Sequence, residues 1–192
     1  MRHFRVISMC FLGIATLAGC QKSGDQEVNR AFQDVNVVDE SNLSDIMLTV
    51  ADPNEAVNYF KRTVAENPDR ADLHRGLGQS LIRAKRPTEA VPVYERLMKL
   101  DGATDEDRVD YADALLRAGD WPKAEATLDA VPPTYETFKR YRLDAMVADS
   151  NKEWNKADSF YETAVARTTR PTGVFHNWAC LKPSRGDSKA AE

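Results

Sequence analysis

"KRPTEAVPVYERL" (residues 85–97) and "GDWPKAEATL" (119–128) are two versions of one text. Each carries an alanine, Ala90 or Ala124, followed one helical turn later by a large apolar residue, Tyr94 or Leu128. The same text stands at "DPNEAVNYF" (52–60), with Ala56 and Phe60, and at "KEWNKADSFY" (152–161), with Ala157 and Tyr161. Successive alanines are thirty-four, thirty-four and thirty-three positions apart, and "GDSKAAE" (186–192) places Ala191 thirty-four further along. A second column of small residues lies twelve positions before each alanine: Ser44, Gly78, Ala112, Ala145 and Ala179. The chain is therefore a row of similar units, and the unit decides the fold.

A period of about 34 residues built from two helices is similar to the tetratricopeptide repeat. The small columns have a mechanical cause, because two helices that cross closely cannot hold a large side chain between their backbones. Gly78 is expected to face Ala90, and Ala112 to face Ala124. Leu77, Tyr111 and Trp178 precede the small column, and together with the aromatic or leucine column they supply an inward apolar stripe. At about 1.5–3 kcal/mol per buried large side chain, one unit does not offset its ordering entropy. Stacking on a neighbour is required.

The expected fold is an all-α solenoid, a right-handed superhelix of antiparallel helix pairs. Its repeats fall at about 37–70, 71–104, 105–137 and 138–171, with a partial fifth at 172–192. Helices are expected at 38–50, 53–66, 71–84, 87–100, 105–118, 121–130, 136–149, 154–168 and 172–182. Pro68, Pro132-Pro133 and Pro171 stand where second helices should stop. Gly119-Asp120 and Gly186-Asp187 stand between paired helices, where a left-handed residue closes the turn. Two places depart from the pattern. Asp144 occupies the slot of Leu77, Tyr111 and Trp178, and the one shorter step removes a residue at an unlocated point. Pro183 interrupts the fifth unit, so residues after Pro171 are expected to be less stable than those before it.

Ahead of the repeats, Arg2, His3 and Arg5 precede the apolar stretch Val6 to Ala18, and then comes Leu17-Ala18-Gly19-Cys20. A run of about 13 apolar residues is too short to span a bilayer and suits a secretory signal. The tetrapeptide resembles the bacterial lipobox, in which the cysteine is acylated and becomes the new N-terminus. The resemblance implies a lipoprotein signal at 1–19, a lipid anchor on Cys20 and, from 20–36, a polar flexible tether. Several acyl chains hold a protein on a bilayer where one would not. Gln21, in place of an aspartate, favours the outer membrane.

Composition suits an ordinary folded body: 42% hydrophobic, 29% charged, and 9 Gly and 9 Pro in 192 residues. A net charge of −4 argues against nucleic-acid binding. Once Cys10 leaves with the signal and Cys20 is acylated, Cys180 has no partner for a disulfide. His176 lies one turn before Cys180, while His74 lies in another repeat, and no metal spacing, phosphate loop or nucleophile elbow accompanies them. No enzymatic activity, cofactor, metal or small-molecule substrate is expected.

Three stretches narrow the family. "DESNLSDIMLTVADPNEAV" (39–57), "RAGDWPKAEATLDAVPPTYETFKRYRLDAMVADSNKEW" (117–154) and "ADSFYETAV" (157–165) resemble the TadD-type lipoproteins of the tight-adherence (Flp) pilus assembly system. The resemblance implies a periplasm-facing, outer-membrane scaffold that assists pilus and secretion-machine assembly and supports the secretin. The alternative is a repeat lipoprotein serving peptidoglycan hydrolases or outer-membrane assembly.

In such arrays the first helix of each repeat lines a groove, and residues at i, i+4 and i+8 share a face. These are Arg75, Gln79 and Arg83; Val109, Asp113 and Arg117; and Arg142, Met146 and Ser150. The groove is expected to be mildly basic and to suit an acidic or C-terminal peptide.

Overall fold

A computed structural model describes residues 42–169. The expected signal, Cys20, the tether, Gly186, Ala191, the helix at 172–182 and the weaker C-terminal end all lie outside the described residues. The chain divides between Asp45 and Ile46, and the repeats described below lie in the second part.

Among the described residues there are eight helices and no strands. They are α1 (42–49), α2 (Pro53–Glu66), α3 (Ala71–Arg83), α4 (Pro87–Leu97), α5 (Asp105–Ala118), α6 (Trp121–Asp129), α7 (Phe138–Ser150) and α8 (Trp154–Ala166). Odd-numbered helices open the repeats and even-numbered helices close them. Polar side chains set several starts. Asp52 accepts from the Asn54 amide at 2.9 Å, and Thr137 from the Arg140 amide at 3.3 Å. Thr104 and Asp107 form a reciprocal capping box.

The repeating alanines hold equivalent places. Ala56, Ala90, Ala124 and Ala157 are each the fourth residue of an even-numbered helix, and each is fully buried. The large residues one turn on, Phe60, Tyr94, Leu128 and Tyr161, are buried with them. The group pressing hardest on Gly78 is the Tyr94 ring, one turn beyond Ala90. A Cβ on Gly78 would lie 2.6 Å from that ring, and one on Gly76 would collide with Phe60 of the preceding repeat. Glycine is therefore needed where an aromatic edge meets a helix backbone. From Val57 to Val147 the apolar residues join one continuous core, with Tyr94 and Tyr111 stacked across a repeat boundary at 6.2 Å. Ala145, Ala148, Ala157 and Tyr161 form a second, smaller cluster, where the Tyr161 hydroxyl donates to Asp149 at 3.1 Å.

The shortened step can now be placed. Val131 is buried at the full repeat distance from Leu97, so it still keeps the longer register, whereas Thr137 caps α7 one position short of that distance from its counterpart Thr104. The missing residue therefore falls in 132–136, the segment opened by Pro132-Pro133. The slot of Leu77 and Tyr111 is filled in the fourth repeat by Asp144, whose carboxylate lies 3.5 Å from Arg140 Nε.

The turns that follow α3, α5 and α7 each pass through a left-handed residue: Lys85 (φ 59°), Gly119 (φ 90°) and Lys152 (φ 62°). Gly119 matches its expected role. For lysine this conformation costs about 1 kcal/mol.

Candidate functional site

The odd-numbered helices α3, α5 and α7 lie side by side, and a groove of about 370 Å³ opens along them. Leu48, Ile82 and the edge of Tyr94 give it an apolar floor. Its walls carry three carboxylates, Glu106, Asp110 and Asp113, against two cations, Arg83 and Lys139. Asp113 is shared with Arg117 and Arg142 beside the groove, so the surface over α3, α5 and α7 is mixed in charge, with carboxylates set among the expected cations. The reason lies between helices. Periodicity along α3 and α7 found the arginines, but not the carboxylate row of α5 that meets them.

That row is bound from both sides. Arg75 donates from Nε and Nη2 to the two oxygens of Asp107, at 2.5 and 2.7 Å, a forked charge-assisted pair. The Thr104 amide and hydroxyl donate to the same fully buried carboxylate, each at 2.9 Å. Burial alone would push the Asp107 carboxyl up, but the hydrogen bonds from Arg75 and Thr104 and the arginine's charge hold it below the usual range. The same hydrogen bond from Arg75 raises the guanidinium's own pKa against its burial. Gln79 donates to Asp110 at 3.2 Å from the α3 side, and Lys139 donates to it at 2.5 Å from the α7 side. Asp113 accepts from Arg117 at 3.0 Å, with Lys139 at 3.6 Å and Arg142 at 3.8 Å. Tyr94 reaches this row from below. Burial first, and then the charges of Asp110, Asp107 and Asp113, push its phenol up, so it enters the groove as a neutral hydroxyl.

The remaining predicted residues divide. Arg83 reaches back to the end of α1, where Nη1 donates to the carbonyls of Met47 and Leu48 at 3.1 and 2.5 Å, and Nη2 to that of Ala51 at 3.1 Å. It therefore satisfies carbonyls that a helix terminus leaves open. Arg117 is half-exposed on the surface. Met146 packs partly buried against the core, and the Ser150 hydroxyl turns back to the Val147 carbonyl at 2.7 Å. Val109 is only 1% exposed and belongs to the core, so the outward row of α5 is Glu106, Asp110, Asp113 and Arg117 instead. Asp107, Asp110 and Lys139 escaped the sequence reading, and Tyr94 was read from it only as a core residue. Thr104-x-x-Asp107 is a capping-box signal that locates one of them.

His74 accounts for one of its ring nitrogens with the Pro68 carbonyl, 2.9 Å from Nε2. Among the described residues no group of three His, Cys, Asp or Glu side chains is placed to hold a metal, and no helix is long and apolar enough to cross a membrane.

Two family models, both described as tetratricopeptide repeat, match residues 47–103 and 81–148. Residues 47–148 are tetratricopeptide repeats. Tetratricopeptide repeat protein 21B of Xenopus laevis is 31% identical over 86 residues, and that of Mus musculus 29% over 86. Each match covers 45% of this chain and 6% of the relative, so the chain spans only a small fraction of their length. Among solved structures, "MamA 41-end from Desulfovibrio magneticus RS-1" superposes with a TM-score of 0.66 at 20% identity, covering 79% of this chain and 86% of that one. "MamA RS-1 ArsTM double mutant" gives 0.64 at 19%, covering 79% and 85%. These likenesses are to the tetratricopeptide solenoid as a fold. Such repeats are interaction scaffolds, and the ladder across α3, α5 and α7 stiffens a surface of that kind.

Proposed function

We propose that this chain is a lipid-anchored scaffold on the periplasmic face of the outer membrane, which assists assembly of the tight-adherence (Flp) pilus machine and supports its secretin. The lipobox ending at Cys20 and the TadD-like stretches within residues 39–165 support the location and the system. The observation that carries the docking role is the groove over α3, α5 and α7, lined by Leu48, Ile82 and Tyr94 and carrying the exposed carboxylate of Glu106. Charge complementarity favours a partner segment that presents lysine or arginine beside apolar side chains. Arg75 and Asp107 hold the repeats in register beneath it, while Glu106, exposed on the wall, is open to such a segment.

The test is co-purification from envelope extracts. Secretin or pilus-platform components are expected with the natural chain, and at least tenfold less of them with Glu106→Lys, which reverses a wall charge outside the ladder. Recovery of peptidoglycan hydrolases without secretin would replace this reading with the alternative scaffold. In the same cells Cys20→Ser should abolish acyl labelling. Labelling that persists would remove the anchor.

A further inference from the structure

The repeats do not join one another equally well. Between the second and third, α4 meets α5 through the stacked rings of Tyr94 and Tyr111. Between the third and fourth, the places of those rings are taken by Leu128 and Asp144, and a cavity of about 40 Å³ lies beside them. α6 has nine residues where α2 has 14 and α4 has 11, and it meets α7 less extensively than α2 meets α3 or α4 meets α5. Leu143 and Val147 carry α7 into the main core, while Ala145 and Ala148 turn to Ala157 and Tyr161 within their own hairpin. Two polar ties cross the joint, Asn151 to Glu125 at 3.0 Å and Lys139 to Asp110 at 2.5 Å, and both are open to solvent at the Asn151 and Lys139 ends, which limits their strength. Around Asp144 stand Glu125 and Asp129 from α6, Arg140 from its own helix and Lys156 from α8. Both cations are shared: Arg140 Nη1 donates to the carbonyls of Pro132 and Tyr135 at 2.7 and 3.2 Å, and Lys156 donates to Glu153 at 2.9 Å. Three carboxylates therefore face one cavity with no cation that is theirs alone.

We infer that the joint between α6 and α7 is an acid latch: a proton held on Asp144 keeps the α7–α8 hairpin docked on the third repeat, and loss of that proton releases it. One repeat does not hide its apolar stripe alone, so a released hairpin unfolds locally instead of swinging as a rigid piece. Release takes Lys139 away from Asp110 and Arg142 away from Asp113, so the α5 carboxylates beside the groove lose cations they share in the docked state. The direction follows from burial, which raises the Asp144 carboxyl to about 6 when docked, against 3.8 when free. The docked state binds the proton more tightly, so docking is strongest below about pH 4 and weakens as pH rises through about 6. From pH 5 to pH 7.5 those two values make opening about tenfold more populated. The latch acts on the groove without depending on what binds there.

The test is hydrogen–deuterium exchange of the full chain at about pH 5 and about pH 7.5, read by mass spectrometry as protection after correction for the intrinsic exchange rate. Protection of α7 and α8 should fall about tenfold between the two, while that of α3 and α5 stays level. Asp144→Asn should keep α7 and α8 equally protected at both. Asp144→Leu, which restores the residue type of Leu77, should do the same and gives a second, apolar route to a closed joint. Unchanged protection of α7 and α8 in the natural chain, a fall of equal size in α3 and α5, or a pH dependence that persists in either variant would overturn the inference. None of these readouts needs a partner in the groove, so their failure would leave the docking role untouched.

Discussion

Replacing Asp144 by asparagine should stabilise the protein at neutral pH and leave it unchanged in acid. The carboxyl sits where Leu77 and Tyr111 sit in other repeats, at a cavity of about 40 Å³ between α6, α7 and α8, with Leu128, Val147 and Phe160 among its walls. Burial pushes its pKa up, and the charge of Asp129 adds to that, while Arg140 and Lys156 pull it down; the outcome is about 6, against 3.8 for an ordinary aspartate. Glu125 and Asp129 line the same cavity, so three carboxylates share it. Because the folded state binds the proton more tightly than the unfolded chain, this group's contribution is fully present below about pH 4 and is lost as pH rises through about 6. At about 1.4 kcal/mol per pH unit, the ionised carboxyl costs on the order of 3 kcal/mol at pH 7. Asparagine imitates the protonated acid in shape and charge. Urea unfolding followed by circular dichroism should therefore give natural and Asp144→Asn proteins equal stability at pH 4, with the variant ahead by about 3 kcal/mol at pH 7. Carboxylates held low, such as Asp107, are common to both proteins and cancel in the difference. A difference that stays flat with pH, or a natural protein that gains on the variant above pH 4, would show that Arg140 keeps Asp144 ionised and would refute the reasoning.

Two further outcomes follow from the packing. Asp107→Ala removes a fully buried carboxylate with four donors and leaves Arg75 without its forked partner, so urea unfolding should show a loss of about 3 kcal/mol. Replacing Arg75 and Asp107 together by leucine should cost less than that, since no charge is then stranded. The lowered pKa of Asp107 makes its contribution present above about pH 4 and lost as pH falls below its folded value. Gly78→Ala should destabilise by about 1–3 kcal/mol, because the new methyl would lie 2.6 Å from the Tyr94 ring, outweighing alanine's better helix propensity of about 1 kcal/mol. Thermal unfolding of that one variant decides which effect wins.

Much of the architecture was legible because it is carried by local, repeated constraints. Ala56, Ala90, Ala124 and Ala157 could be aligned by counting, and the helix bounds followed from caps and prolines that act within a few residues of themselves. The groove was legible only in part. A spacing rule along one helix gathers the residues that share a face, as with Arg75, Gln79 and Arg83, but it does not say what stands opposite. Val109 shows how a phase error of one residue moves a side chain from surface to core.

The period, the all-α class and the stacking of units were thus determined by the chain alone, since a short helix pair with small residues at its crossing can hide its apolar stripe only against a copy of itself. Tertiary structure decided which charges of the groove are spent. It paired Arg75 with Asp107 and Lys139 with Asp110 across residues 32 and 29 apart in sequence, so that cations which single helices offered to a partner are already matched by carboxylates. Electrostatics follows distance in space, and the carboxylates of α5 meet their cations only when three repeats stand side by side.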